Sequence, residues 1–123
     1  MNSSKILLVD DDEDILDLLE YNLTNEGYIV QTALNGKKAI EVANEFIPDL
    51  IILDVMMPEM DGYELSRTLR QRGFDGPIVA VTAAVIGDET EKLKEAGVDV
   101  VLAKPISMSR LKAELNLLTS KGS

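Results

Sequence analysis

Five short apolar runs of strand type, Ile6–Val9, Tyr28–Thr32, Leu50–Leu53, Ile78–Val81 and Val98–Ala103, alternate with segments of helical period. Leu16, Leu19 and Leu23 share one helical face, as do Ala39, Ala43 and Phe46, then Leu65 and Leu69, and finally Leu111, Leu115 and Leu118. Strand and helix in strict alternation predict an α/β fold, a doubly wound five-stranded parallel sheet with helices on both faces and right-handed crossovers. The runs at Ile6, Leu50 and Ile78 are apolar throughout, as strands covered on both faces must be, and so predict the centre of the sheet. Gly27, Gly73 and Gly97 follow the first, third and fourth helices, where a left-handed residue is cheapest as glycine. Asn35-Gly36 and Ser107 mark helix starts.

At 123 residues the chain is expected to be one domain, 1–123, with its core at about 4–119 and no output domain after the fifth helix. A formal charge of −10 opposes contact with nucleic acid or an anionic membrane. The absence of Cys and His removes thiol chemistry, imidazole bases and zinc sites together. No apolar stretch approaches the ~20 residues of a membrane span, and no signal peptide is visible, so a cytoplasmic protein is the expectation.

The chemistry lies where the runs stop. Ile6-Leu7-Leu8-Val9 ends at Asp10, Asp11, Asp12, Glu13 and Asp14, and Leu50-Ile51-Ile52-Leu53 ends at Asp54. In open parallel sheets ligands bind at the carboxyl ends of the strands, near the point where the strand order reverses. Asp10, Asp11, Asp54, Thr82 and Lys104 all stand at such ends. Converging carboxylates without His or Cys suit a hard cation such as Mg²⁺, which takes oxygen ligands and often a substrate phosphate. Lys104 adds a charge that pairs with carboxylate or phosphoryl oxygens, and Thr82 a hydroxyl donor. The group fits phosphoryl transfer, in which a carboxylate can itself be the nucleophile. Asp12, Glu13 and Asp14 are read instead as first-turn acids that favour a helix dipole, and Met56, Met57 and Met60 as loop packing.

Four ordered motifs, Ile6-Leu7-Leu8-Val9-Asp10-Asp11, Leu53-Asp54-Val55-Met56-Met57-Pro58-Glu59-Met60-Asp61-Gly62, Val81-Thr82-Ala83 and Ala103-Lys104-Pro105, resemble the receiver domains of bacterial two-component response regulators, the chemotaxis response regulator among them. The resemblance spans the chain. It implies the flavodoxin-like (βα)5 fold with strand order 2-1-3-4-5. It implies Asp54 as phosphoacceptor, Asp11 as a direct Mg²⁺ ligand and Asp10 as the acid that orients a metal-bound water. Met56 would lend the metal its backbone carbonyl. Thr82 matches the switch hydroxyl, Lys104 the cation that bridges to the phosphoryl group, and Ala83 the small residue that leaves it room. The family's Lys-Pro bond, here Lys104–Pro105, is cis. The implied partner is a sensor histidine kinase or a histidine phosphotransfer protein. The implied product is an aspartyl phosphate in a signalling module that catalyses only its own phosphorylation and hydrolysis. Up to about Gly62 the chain looks like receivers of transcription factors, and from Pro77 to Pro105 like those of hybrid histidine kinases.

Ile15 and Leu18 lie off the stripe of the first helix. A wide buried stripe explains them; so does a partner-docking patch beside the acidic pocket, with Pro105 across the crevice, where such receivers meet their kinases. Two positions depart from the family. Val101 stands where an aromatic residue usually couples the switch to an output face, and its stiff χ1 offers little swing. Val100 replaces the second acid found in many dimerising receivers, so a monomer is expected, with movement confined to the loop after Thr82 and the helix near Asp88–Ala96. Other readings are weaker. An EF-hand loop from Asp10 would have Ile15 in place of Gly and Tyr21 in place of Glu. A flavin carrier needs hydroxyls and glycine in its first loop, not acids. An aspartate-nucleophile phosphatase acting through Asp10 and Asp12 is the runner-up, although Asp14 stands where its motif wants Thr or Val.

Overall fold

The computed structural model describes residues 4–83 and 88–119. Five strands and five helices alternate: β1 Lys5–Val9, α1 Glu13–Asn25, β2 Ile29–Ala33, α2 Gly36–Phe46, β3 Leu50–Asp54, α3 Gly62–Gln71, β4 Ile78–Thr82, α4 Glu89–Glu95, β5 Val100–Ala103 and α5 Met108–Thr119. All strand pairs are parallel and the sheet order is β2-β1-β3-β4-β5.

Burial follows that order. β3 and β4 are buried along their whole length and β1 from its second residue, whereas the edge strands β2 and β5 are largely half-buried or exposed. Alternate residues of the central strands feed two cores. Leu7, Ile51, Leu53, Ile78 and Ala80 meet Ala39 of α2, Leu65 and Leu69 of α3 and Leu93 of α4. Ile6, Leu8, Ile52, Val79 and Val81 meet Leu16, Leu19 and Leu23 of α1 and Leu111 and Leu115 of α5. Two-residue alternation along the strands thus assigns α2–α4 to one face and α1 with α5 to the other.

The helix ends are written in the sequence. Asp12 caps α1, its side chain accepting from the N–H groups of Asp14 and Ile15, and Asn35 and Asp61 cap α2 and α3 in the same way. Gly27, Gly73 and Gly97 have φ of 98°, 99° and 108°, the left-handed geometry that closes a helix.

Two strands start later than expected, and β1 at its start and β2, β3 and β4 at their ends each run one residue further. β2 begins at Ile29, because the Tyr28 N–H closes the end of α1 on the Leu23 carbonyl. β5 begins at Val100, because the Val98 N–H closes α4 on the Leu93 carbonyl, and the Asp99 carboxylate takes the Ile78 N–H and an Arg70 donor. Among the described residues, no helix is long and apolar enough to cross a membrane.

Candidate functional site

The carboxyl ends of β1, β3, β4 and β5 converge on one crevice. Asp10 follows β1, Asp54 ends β3, Thr82 ends β4 and Lys104 follows β5. Asp10, Asp54 and Thr82 are buried, whereas Asp11 is exposed. Asp10, Asp11 and Asp54 each bring a carboxylate oxygen within 4.8 Å of the other two. Lys104 Nζ lies 3.2 Å from Asp54 Oδ1 and 3.9 Å from Asp10 Oδ2.

Backbone donors fix the two buried acids. Asp10 Oδ1 accepts from the Asp12 N–H at 2.9 Å, and Asp54 Oδ1 from the Met56 N–H at 3.2 Å. The loop after β3 is pinned at its base, with the Val55 N–H donating to the Val81 carbonyl and the Gly62 N–H to the Val55 carbonyl. A Cβ on Gly62 would lie 2.7 Å from the Val55 Cα, so glycine is needed for that closure. The Lys104 N–H donates to the Thr82 carbonyl at 2.9 Å, which zips β5 to β4 beside the crevice, and the Lys104–Pro105 bond is cis.

Burial raises the Asp10 pKa above its ordinary value; the Asp12 N–H and Lys104 oppose this, and the Asp54 and Asp11 charges add to it. Three acids facing one lysine leave the pocket short of positive charge. An all-oxygen donor set of that sign is chemically suited to a hard divalent cation, so the residues present fit Mg²⁺.

The sequence-derived residues fall into clear groups. Asp10, Asp11, Asp54, Thr82 and Lys104 come together, and Met56, two residues after Asp54, is 68% exposed. Asp12 is committed to capping α1, which denies a phosphatase of the rival type its second acid. Residues 13–25 form helix α1, not a calcium loop. Ile15 and Leu18 part company: Ile15 packs against the core, whereas Leu18 is 58% exposed. Both line a groove of about 530 Å³ beside Lys104, with Ala83, Pro105, Ile106 and Met108. Much of the loop after Thr82, Ala84–Gly87, lies outside the described residues.

Two contacts escaped the sequence. The Tyr63 hydroxyl donates to Glu89 Oε1, joining α3 to the first turn of α4. Arg70 of α3 donates to the carbonyls of Phe74, Gly76 and Gly97 and to the Asp99 carboxylate. Tyr63 directly follows Asp61-Gly62, but nothing along the chain points to Glu89 as its partner.

Residues 6–116 match the sequence model of the response regulator receiver domain. The alkaline phosphatase synthesis transcriptional regulatory protein PhoP of Bacillus subtilis is 42% identical over 118 residues, covering 94% of this chain and 48% of that protein. The response regulator MprA of Mycolicibacterium vanbaalenii is 39% identical over 114 residues, covering 93% and 49%. The chain thus spans about half the length of these curated relatives. Among solved structures, the Vibrio cholerae chemotaxis protein CheY4 superposes with a TM-score of 0.90 at 30% identity, covering 95% of this chain and 99% of that one.

Proposed function

The chain belongs to the response regulator receiver domain family, and on that footing we propose that Asp54 accepts a phosphoryl group from a phosphohistidine of a sensor histidine kinase or histidine phosphotransfer protein in the cytoplasm. The observation that carries this reading is the placement of buried Asp54 within 3.2 Å of Lys104 and among two further acids at the strand ends.

Asp54 Oδ1 already accepts from Met56 and pairs with Lys104, so Oδ2 is the oxygen available to form the bond to phosphorus. As that bond forms, the P–N bond to the donor imidazole breaks, and the ring nitrogen leaves with the electron pair. Lys104 and the Thr82 hydroxyl then serve as donors to the phosphoryl oxygens. Asp10, Asp11, Asp54 and the Met56 carbonyl would hold Mg²⁺, which supplies positive charge to those oxygens when bound. Hydrolysis reverses the modification: water adds to phosphorus, the P–O bond to Asp54 breaks, and inorganic phosphate leaves. The chain is a signalling module, and these two reactions on its own Asp54 are the catalysis we assign to it. The groove at Ile15, Leu18 and Pro105 supports docking of the phosphohistidine donor beside the acid. We further expect a monomer before and after phosphorylation.

Acetyl phosphate or a phosphorylated kinase, with Mg²⁺, should label the protein with an acid-stable, base-labile acyl phosphate, and Asp54→Asn should abolish it. Labelling that persists in Asp54→Asn refutes the assignment. Sedimentation with and without beryllofluoride tests the oligomeric state; a beryllofluoride-dependent dimer contradicts the monomer.

A further inference from the structure

We propose that the hydrogen bond from Tyr63 to Glu89 is a latch that holds α4 in the unphosphorylated position and sets how readily the domain switches. The proposal rests on the phosphoacceptor reading of Asp54 and adds the route by which the site's state reaches α4.

Tyr63 is mechanically close to the site. It follows Gly62, whose N–H is bonded to the carbonyl of Val55, the neighbour of Asp54, with no space at Gly62 for a Cβ. A displacement of the β3 loop is therefore passed to the first turn of α3. The Tyr63 ring is half-buried against the core of that face, and its hydroxyl meets Glu89, the first residue of α4. Burial and the Glu89 carboxylate push the Tyr63 pKa up to about 12, so the phenol stays a donor across the physiological range.

At its start, among the described residues, the helix at the other end of this bond is held locally by the Lys92–Asp88 ion pair at 3.7 Å and across to α3 by the phenol. α4 has seven residues, of which Leu93 alone is buried, and Asp88 makes no side-chain capping bond. The end of α4 is secured differently. Arg70 grips the Gly97 carbonyl at 2.8 and 3.1 Å while also holding Phe74, Gly76 and Asp99. Among the described residues, α3 thus anchors α4 through a guanidinium network at its end and through the Tyr63 phenol at its start. An element held this way pivots about the Arg70 end once the phenol lets go. Because the bond stabilises one of two positions, removing it shifts the equilibrium toward the other, and the phosphoryl mimic then binds more tightly by at most the same factor.

The test compares the native protein, Tyr63→Phe and Glu89→Gln by amide hydrogen exchange and by beryllofluoride titration with Mg²⁺. Tyr63→Phe retains the ring, and Glu89→Gln retains an acceptor without its charge, so both keep the fold. A hydrogen bond to a charged group predicts about tenfold faster exchange in α4 of apo Tyr63→Phe and beryllofluoride binding up to about tenfold tighter. Glu89→Gln should fall between that variant and the native protein, and the double variant should match Tyr63→Phe. If the native protein responds to beryllofluoride and Tyr63→Phe has the same α4 exchange and the same affinity, the latch is wrong and the phosphoacceptor reading stands. If native protein and Asp54→Asn respond alike, the phosphoacceptor reading fails and takes the latch with it.

Discussion

Replacing Asp11 with asparagine isolates the electrostatic tension of the acidic pocket. Asp10, Asp11 and Asp54 bring oxygens within 4.8 Å of one another, yet the Lys104 ion pairs reach only Asp54 and Asp10. Two like charges 4.8 Å apart repel by roughly 1 kcal/mol in water and roughly 3.5 kcal/mol at an effective dielectric of about 20. Asp11 is exposed, so the lower figure applies to each of its two pairs, and salt reduces it further. In chelator, Asp11→Asn should therefore be more stable than the native protein by about 1 kcal/mol, or roughly 3–5 °C in melting temperature for a domain of this size. Asp54→Ala offers no such clean gain, because the repulsion it relieves is offset by loss of the 3.2 Å pair with Lys104.

Saturating Mg²⁺ should invert the order, since the native sequence gains stability by mass action and a variant with one ligand fewer gains less. The acid dependence has a definite sign. The raised Asp10 pKa means that, between its unfolded value of 3.8 and its folded value, the folded state carries the extra proton and stability falls as pH rises. The advantage of Asp11→Asn is thus full above that window and shrinks as pH falls through it. Melting curves in EDTA and across a Mg²⁺ series at two pH values measure all of this. An Asp11→Asn protein that melts below the native one in EDTA, or that gains as much from Mg²⁺, would refute the reasoning.

Lys104→Met strips the cation from two buried acids and should cost about 2 kcal/mol in urea unfolding, with part of the loss recovered at acid pH as Asp10 takes up a proton. Gly62→Ala places a methyl 2.7 Å from the Val55 Cα and 3.0 Å from Leu53 Cδ1; since the backbone has little room to yield, a loss of about 2 kcal/mol is expected by denaturant titration. Leu18→Ala, on an exposed side chain, should change stability by less than about 0.5 kcal/mol, slow phosphotransfer from the donor protein and leave labelling by acetyl phosphate unchanged; equal slowing with both donors would place the defect in the site instead of the groove.

The sequence was most readable where physics is local. A strand buried on both faces must be apolar throughout, so β1, β3 and β4 announced their central places, and the caps at Asn35 and Ser107 and the left-handed glycines marked the helix ends. The acidic pocket was legible because a charge that interrupts such a strand at its end has few structural uses. Long-range contacts were not legible. Tyr63 reads as an ordinary amphipathic residue of α3 and Glu89 as a first-turn acid, and only the packing of α4 beside α3 joins them. Arg70 likewise passes for a favourable last-turn cation, although four other residues depend on it. The starts of β2 and β5 were misplaced because Tyr28 and Val98 are apolar and buried for the sake of the preceding helix end, not of the ladder.

The division of the interior into two cores carries an evolutionary consequence. The groove beside Lys104 is built from α1 and the segment leading into α5, with Ala83 after β4 at its edge, while α4 packs on the opposite face of the sheet. Between them stand β1, β3 and β4, whose side chains alternate between the two cores. Under the docking proposed above, substitutions on α1 alter the core it shares with α5 and leave in place the side chains that pack α2, α3 and α4. The face proposed to receive the donor can therefore change its side chains while the face that carries α4 keeps its own.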